Sequence, residues 1–252
     1  MFNFFVTPDK RQGDTYFITD GDYNHIKNVL RMKEGETFLV SCEGKSDLCN
    51  LDGFIEGGLY AKIIEENYQS TELSNKFYLF QGLPKSDKME LIIQKSVELG
   101  VFEIVPFESA RSIVKIEEKK KVSKIARWQS ISESAAKQSK RNVVPKISDI
   151  LSFKNSVCKA KELDAILIAY ENAEGMVATK KVLSEIKSGD SIGIFIGPEG
   201  GFEENEVAEI EKIGGKTISL GKRILRTETA AITAISMLML HCEMNIEDKE
   251  ND

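Results

Sequence analysis

Gly197-Pro198-Glu199-Gly200-Gly201 and Leu220-Gly221-Lys222-Arg223-Ile224-Leu225-Arg226 are the two stretches of this chain whose residue types and spacing could do chemistry. Glycines let a backbone approach a ligand closely, and at the start of a helix the free N–H groups point at it. Both stretches sit at such a place. An apolar, β-branched-rich run (Ile192, Ile194, Phe195, Ile196) precedes the first and predicts a buried strand of a parallel sheet; a Glu-rich amphipathic helix follows. The second lies between a strand expected at Thr217 to Leu220 and a helix beginning near Thr227. Two glycine loops at the ends of neighbouring parallel strands predict a ligand crevice. Singly, each could equally be a tight connection.

These are not nucleotide loops of the common kinds. No G-x-G-x-x-G occurs, so the dinucleotide fingerprint is absent. Gly44-Lys45-Ser46 and Gly215-Lys216-Thr217 have Leu39 and Ile210 where a phosphate loop needs its first glycine, and Gly221-Lys222-Arg223 lacks the Ser or Thr.

The elements that must position the two loops fall into two patterns. Up to about Glu66 the chain reads as short strands (Thr15 to Ile18, Thr37 to Cys42, Leu59 to Ile64) punctuated by glycines, with one amphipathic segment, Tyr23 to Met32. That suggests a small β-barrel, and the polar stretch Asn67 to Asn75 is the expected linker. From Lys76 the pattern becomes alternating β and α. Strands are expected at Phe77 to Gln81, Val101 to Phe107 and Asp164 to Tyr170, and a basic helix at Lys120 to Lys140. In the helix Asp87 to Leu99, residues Met89, Ile92, Ile93, Ser96 and Val97 share a face, and Gly100 is the natural stop. The boundary is set at domains 1–70 and 71–252, and the second reads as an open, doubly wound α/β sheet.

Composition narrows the function. With 252 residues, 41% hydrophobic and 29% charged, the chain reads as an ordinary globular protein. It has no run of eighteen apolar residues and no signal-peptide pattern at MFNFFVTPDK, so neither a membrane span nor export is expected. Cys42, Cys49, Cys158 and Cys242 lack metal or redox spacing and read as reduced core residues of a cytoplasmic protein. With only His25 and His241, a metal site is not expected. The net charge of -6 is uneven: Lys76 to Lys146 holds 15 Lys and Arg against 8 Asp and Glu, a balance of +7. Charge runs are usually solvated helix faces. An excess concentrated in one segment of an acidic chain points instead to a phosphate-facing patch.

The wording of the loops is more specific than their glycines. GPEGGFEENE followed by LGKRILRTETAA resembles the C-terminal signature of the SPOUT methyltransferases, and more narrowly of the RsmE family. YNHIKNVLRMKEGE (Tyr23 to Glu36), LPKSDKMELIIQKSVELGVFEIVPFESARSIVK (Leu83 to Lys115) and RWQSISESAAKQSKRNVVPKI (Arg127 to Ile147) resemble its N-terminal and central motifs in order. One position departs: Asn3 stands before Phe4 and Phe5 where the family usually has Arg, which puts one RNA contact in question.

The resemblance implies a PUA-like N-terminal barrel that contacts RNA and a SPOUT domain whose C-terminal segment forms a trefoil knot. Periodicity would never suggest that knot, since threaded chains are almost absent from proteins. It implies S-adenosylmethionine as cofactor and N3 of a uridine in 16S ribosomal RNA as target, within the small subunit. The cofactor would lie against Ile196, Gly197, Pro198, Glu199, Gly200, Gly201, Leu220, Gly221, Ile224, Leu225 and Arg226, with glycines giving backbone access and Ile196, Leu220, Ile224 and Leu225 apolar surface.

Methylating N3 requires loss of its proton and stabilisation of the charge then spread over O2 and O4. Arg226, permanently charged and offering paired donors, is the first candidate stabiliser and Arg223 the second. Glu199, inside the glycine turn, is the more natural base; for Glu228, helix-dipole compensation is the favoured role, as it is for Glu203, Glu204 and Glu206. RNA-contact candidates are His25, Arg31, Lys119, Lys120, Lys121, Lys124, Gln138 and Arg141. Trp128 recurs with Val122, Ile125 and Ile131 at near-helical spacing, which favours a core or interface position over base stacking. The last helix is apolar or small on nearly all its surface, more than one buried face requires, and predicts a homodimer. Alternatives are a SPOUT enzyme acting on tRNA or a ribose 2′-hydroxyl, and a non-catalytic RNA-binding protein of ribosome assembly.

Overall fold

The computed structural model describes residues 1–68 and 70–250, with only the backbone from 245 onward. Gln69, in the expected linker, and residues 251–252 lie outside the described residues. Two compact units emerge, one of residues 1–72 and 136–144, the other of 73–135 and 145–252.

The first unit is a six-stranded sheet in the order β1-β4-β5-β6-β3-β2. Its strands are β1 (Asn3–Phe5), β2 (Arg11–Gln12), β3 (Thr15–Thr19), β4 (Thr37–Cys42), β5 (Lys45–Ile55) and β6 (Gly58–Glu65). The short helix α1 (Asp20–Asn24) runs on into a wider helical turn, His25–Leu30. All pairings are antiparallel except β1 with β4. The sheet curls: Phe4 from one edge and Tyr16 from the far side share one core with Ile26, Phe38 and Leu59. β5, at eleven residues, was not anticipated; its alternation is broken where the register shifts between Leu51 and Gly53. Asn3 is buried, accepting from Ser41 Oγ at 2.9 Å and donating to the Arg141 carbonyl at 2.8 Å. Asn3, the position at which the sequence departs from the resemblance, is therefore an interior one.

Within the expected linker, Glu72 is tied to the first unit. Glu72 accepts from Arg141 Nε at 2.8 Å, Arg141 Nη2 at 2.6 Å and the Asn142 amide at 2.8 Å.

The second unit is an all-parallel sheet in the order β10-β8-β7-β12-β11-β13, with β9 also paired to β8. It runs through β7 (Lys76–Gly82), α2 (Lys88–Glu98), β8 (Val101–Glu108), α3 (Glu118–Ser139, whose last turn counts with the first unit), β9 (Lys146–Ile147) and β10 (Leu151–Ser152). Next come α4 (Phe153–Ala160), β11 (Ala165–Ala169), α5 (Met176–Leu183), β12 (Ser191–Ile196), α6 (Glu204–Lys212), β13 (Lys216–Ile218) and α7 (Thr227–Glu250). Both faces are covered, as continuous apolar strands require. Phe80, Phe107, Ile168 and Phe195 pack with Val157 of α4 and Val207 and Ile210 of α6, while α2 and α7 pack together against β7, β8 and β12. The predicted face of α2 (Met89, Ile92, Ile93, Ser96, Val97) is buried, and Gly100 follows it at φ 92°.

Three expectations need correction. The glycine loops do not end neighbouring strands: β11 lies between β12 and β13. Cys158 is exposed rather than core, although all four cysteines are free. Val122 is 78% exposed and does not join the buried Trp128, because the helix turns its first turns outward.

Candidate functional site

The loops at the C-terminal ends of β11, β12 and β13 enclose a cavity of about 540 Å³, within the usual range for a small-molecule site. Every cofactor candidate named from the sequence lines it: Ile196 to Gly201, Leu220, Gly221, Ile224, Leu225 and Arg226. Arg223 does so too, together with Lys88, Tyr170, Glu171, Ser219 and Thr227. Ile196 is buried, and Leu220 and Leu225 are half-buried walls. Ile224 is 90% exposed and stands at the rim rather than forming a wall.

Packing beneath the first loop explains its shape. Phe80 and Phe195 stack with centroids 4.4 Å apart, and Phe202, just after the loop, stacks on Phe107 at 6.3 Å. Such pairs add roughly 0.5–1.5 kcal/mol each beyond burial. The glycines meet different demands. A Cβ on Gly197 would lie 3.1 Å from the Gly201 carbonyl carbon and 3.2 Å from the Phe202 ring. Gly201 takes the left-handed conformation, φ 67°.

Side chains brace the loop from outside. Arg111 Nη1 donates to the Gly200 carbonyl at 3.1 Å. Glu206, buried at the start of α6, accepts from the Ala110 amide at 2.9 Å and the Glu203 amide at 2.9 Å, closing a capping box. It is structural, as its helix-start position suggested. Thr179 of α5 accepts from the Ser219 amide at 2.8 Å, fixing the root of the second loop.

Glu199 is committed to the loop. Its Oε1 accepts from Lys88 Nζ at 2.8 Å and the Lys85 amide at 3.0 Å. Burial pushes the carboxyl up, but Lys88 and the amides of Glu199 itself and Lys85 outweigh it and hold it below the ordinary value. A carboxylate held ionised in this way is a poor proton acceptor. Lys88 also lies 3.4 Å from Oε2 of Glu228, at an angle outside hydrogen-bond geometry, so that oxygen is buried with an ion pair and no hydrogen bond. Two carboxylates raise the Lys88 ammonium above its usual value, Glu199 foremost. Arg223 and Arg226, both exposed at the cavity, form no ion pair among the described residues.

The RNA candidates divide. In the first unit His25, Arg31 and Gln138 are exposed; His25 packs edge-on to Phe4 at 6.2 Å and Arg31 ends its helical turn at φ 54°. Arg141 is instead 3% exposed and tied to Glu72, so its guanidinium is withdrawn from a phosphate. In the second unit Lys124 is exposed, while Lys119 and Lys120 pair with Glu117 at 3.1 and 3.3 Å and Lys121 with Glu118 at 2.6 Å. The lysines are therefore paired where they are densest, with acids that the net +7 already counts. Sequence reasoning passed over Lys88, Arg111, Glu171 and Thr227; the first two lie inside the Leu83 to Lys115 motif, which was the available signal. Among the described residues no group of three His, Cys, Asp or Glu is arranged for a metal, and no helix is long and apolar enough to cross a membrane.

Comparison with known proteins agrees with this geometry. Residues 71–239 match the RNA methyltransferase domain model, and residues 18–45 the RNA methyltransferase PUA domain. Ribosomal RNA small subunit methyltransferase E of Bacillus subtilis (strain 168) is 38% identical over 251 residues, 97% of this chain and 98% of that one. The protein of the same name from Mesomycoplasma hyopneumoniae (strain 232) is 37% identical over 232 residues, 92% and 96% of the two chains. The crystal structure of that methyltransferase from Neisseria gonorrhoeae, bound to S-adenosyl methionine, superposes with a TM-score of 0.81 at 31% identity, covering 95% of this chain and 97% of that one.

Proposed function

We propose that this chain, which belongs to the ribosomal RNA small subunit methyltransferase E family, is an S-adenosylmethionine-dependent enzyme that methylates N3 of a uridine in 16S ribosomal RNA. The observation that carries the reading is the cavity itself, in which two glycine loops, apolar walls and the exposed Arg223 and Arg226 converge.

The residues present fit the cofactor. Backbone groups of Gly197 to Gly201 and Leu220 to Arg226 would meet its adenine and polar tail, against Ile196, Leu220 and Leu225. S-adenosylmethionine, when bound, supplies a methyl group activated by its sulfonium. The chain's own task is to hold the uracil in line and manage its charge. Uracil would give up its N3 proton to solvent, and the nitrogen electron pair so freed would take the methyl group. Arg226 stabilises the negative charge over O2 and O4, with Arg223 second. Glu199, pinned by Lys88, serves the loop more than proton transfer.

Target choice needs a wider surface than the cavity. His25, Arg31 and Gln138 in the first unit, and Lys119, Lys120, Lys121 and Lys124 in the second, are the proposed phosphate and RNA contacts. The substrate in this reading is the assembled small subunit in the cytoplasm, and the protein acts as a homodimer. Leu91 on α2 and Leu240 and Met244 on α7 are large apolar side chains left exposed, which supports pairing through these helices. Ribosomal RNA from a strain lacking the gene should have lost one methyl group from a 16S uridine base; loss from tRNA or from a ribose would replace this reading.

A further inference from the structure

Thr227 opens α7, one residue after Arg226. Its hydroxyl donates to the Gly197 carbonyl at 2.7 Å and accepts from Gln81 Nε2 at 3.0 Å. The same nitrogen donates to the Gly82 carbonyl at 2.9 Å. Gln81 is fully buried and Thr227 5% exposed, so both bonds are made away from water. Backbone packing closes the same junction: a Cβ on Gly82 would stand 2.7 Å from Pro198 Cδ and 2.8 Å from its nitrogen. The end of β7, the end of β12 and the start of α7 therefore meet at one hydroxyl.

We infer that Thr227 is a positioning residue, a clasp that fixes the first glycine loop through the Gly197 carbonyl and thereby sets where Arg226 stands over the cavity. The inference rests on the role given to Arg226 above. Threonine suits the task because its β-branched side chain is stiff while its hydroxyl both donates and accepts. The Gly197 carbonyl is held by a group on the second loop's own terminus, so neither loop can shift without the other. A displaced guanidinium loses much of its effect, since misplacement of about 1 Å can cost about a hundredfold in rate.

Thr227→Val keeps the shape and removes both bonds; Thr227→Ser keeps the bonds. Cofactor affinity by calorimetry and single-turnover methylation at saturating S-adenosylmethionine separate a clasp from a pocket wall. The valine variant is expected to bind cofactor several-fold more weakly and to remain at least about tenfold slower at saturation, with serine restoring both. A saturated rate equal to wild type would overturn the clasp, as would unchanged affinity. Should the valine variant not fold, Thr227→Ala removes the same two bonds without the branched side chain and is read the same way. If wild-type protein binds cofactor but methylates no uridine, the substrate reading fails separately, and the affinity of the two Thr227 variants still decides the clasp.

Discussion

Lys88 Nζ lies 2.8 Å from Oε1 of Glu199, tying the first helix of the sheet unit to the glycine loop. The two side chains are 29% and 28% exposed, so the pair is worth about 1 kcal/mol. Its pH dependence follows from the two shifts. The Glu199 carboxyl is lowered, so its contribution is present above the ordinary carboxylate value, about 4.3, and is lost as pH falls through its depressed folded value. The Lys88 ammonium is raised, so its contribution is present below about 10.4 and is lost as pH rises through its elevated folded value. Lys88→Met should therefore be less stable than wild type to urea between about pH 5 and 10, with the gap closing at both ends. A gap of the same size at acid pH as at neutrality would show that the pair does not supply it.

Gly197→Ala should weaken cofactor binding strongly, because the new methyl group lands 3.1 Å from the Gly201 carbonyl carbon and against Phe202. Gly200→Val acts by a different route, since a Cβ there meets Arg111 Cβ at 3.0 Å and the side chain that braces the loop must yield. Titration calorimetry should rank both variants well below wild type. Wild-type affinity in Gly197→Ala would move the cofactor out of this cavity.

Arg226→Ala should slow turnover far more than it weakens cofactor binding, because its proposed work is done on the developing uracil charge. Arg223→Ala should do the same to a smaller degree. Weakened binding in Arg226→Ala with an unchanged single-turnover rate at saturation would make Arg226 a wall of the pocket instead.

Arg141→Met should destabilise the protein by about 3 kcal/mol, since it strands Glu72 and the amides it gathers beside a buried ion pair. Chemical denaturation of the purified variant checks this. Stability within a few tenths of wild type, combined with weaker binding to the small subunit, would return Arg141 to the RNA-contact set.

Much of the site was legible because it is local. Glycines between a strand and a helix announce themselves within a few residues, and the family wording of both loops adds to that. The same locality explains what was hidden. Glu199 looks like a base in isolation, and only folding brings Lys88 and the Lys85 amide to it. Arg141 reads as one more cation in a basic run until folding brings Glu72, 69 residues away in sequence, to its guanidinium. The strand order placed β11 between the two loop-bearing strands, which no periodicity encodes. Likewise Asn3 looked like a lost RNA contact, whereas its amide is bonded inside the first unit.

The most direct test is to incubate purified protein with methyl-labelled S-adenosylmethionine and small ribosomal subunits from a strain lacking the gene. Nuclease digestion and mass spectrometry then identify the labelled nucleoside. One equivalent of 3-methyluridine per 16S chain, absent with Arg226→Ala, is the predicted result. Label on a ribose, on another base or on tRNA, or no label with cofactor bound, would contradict the account.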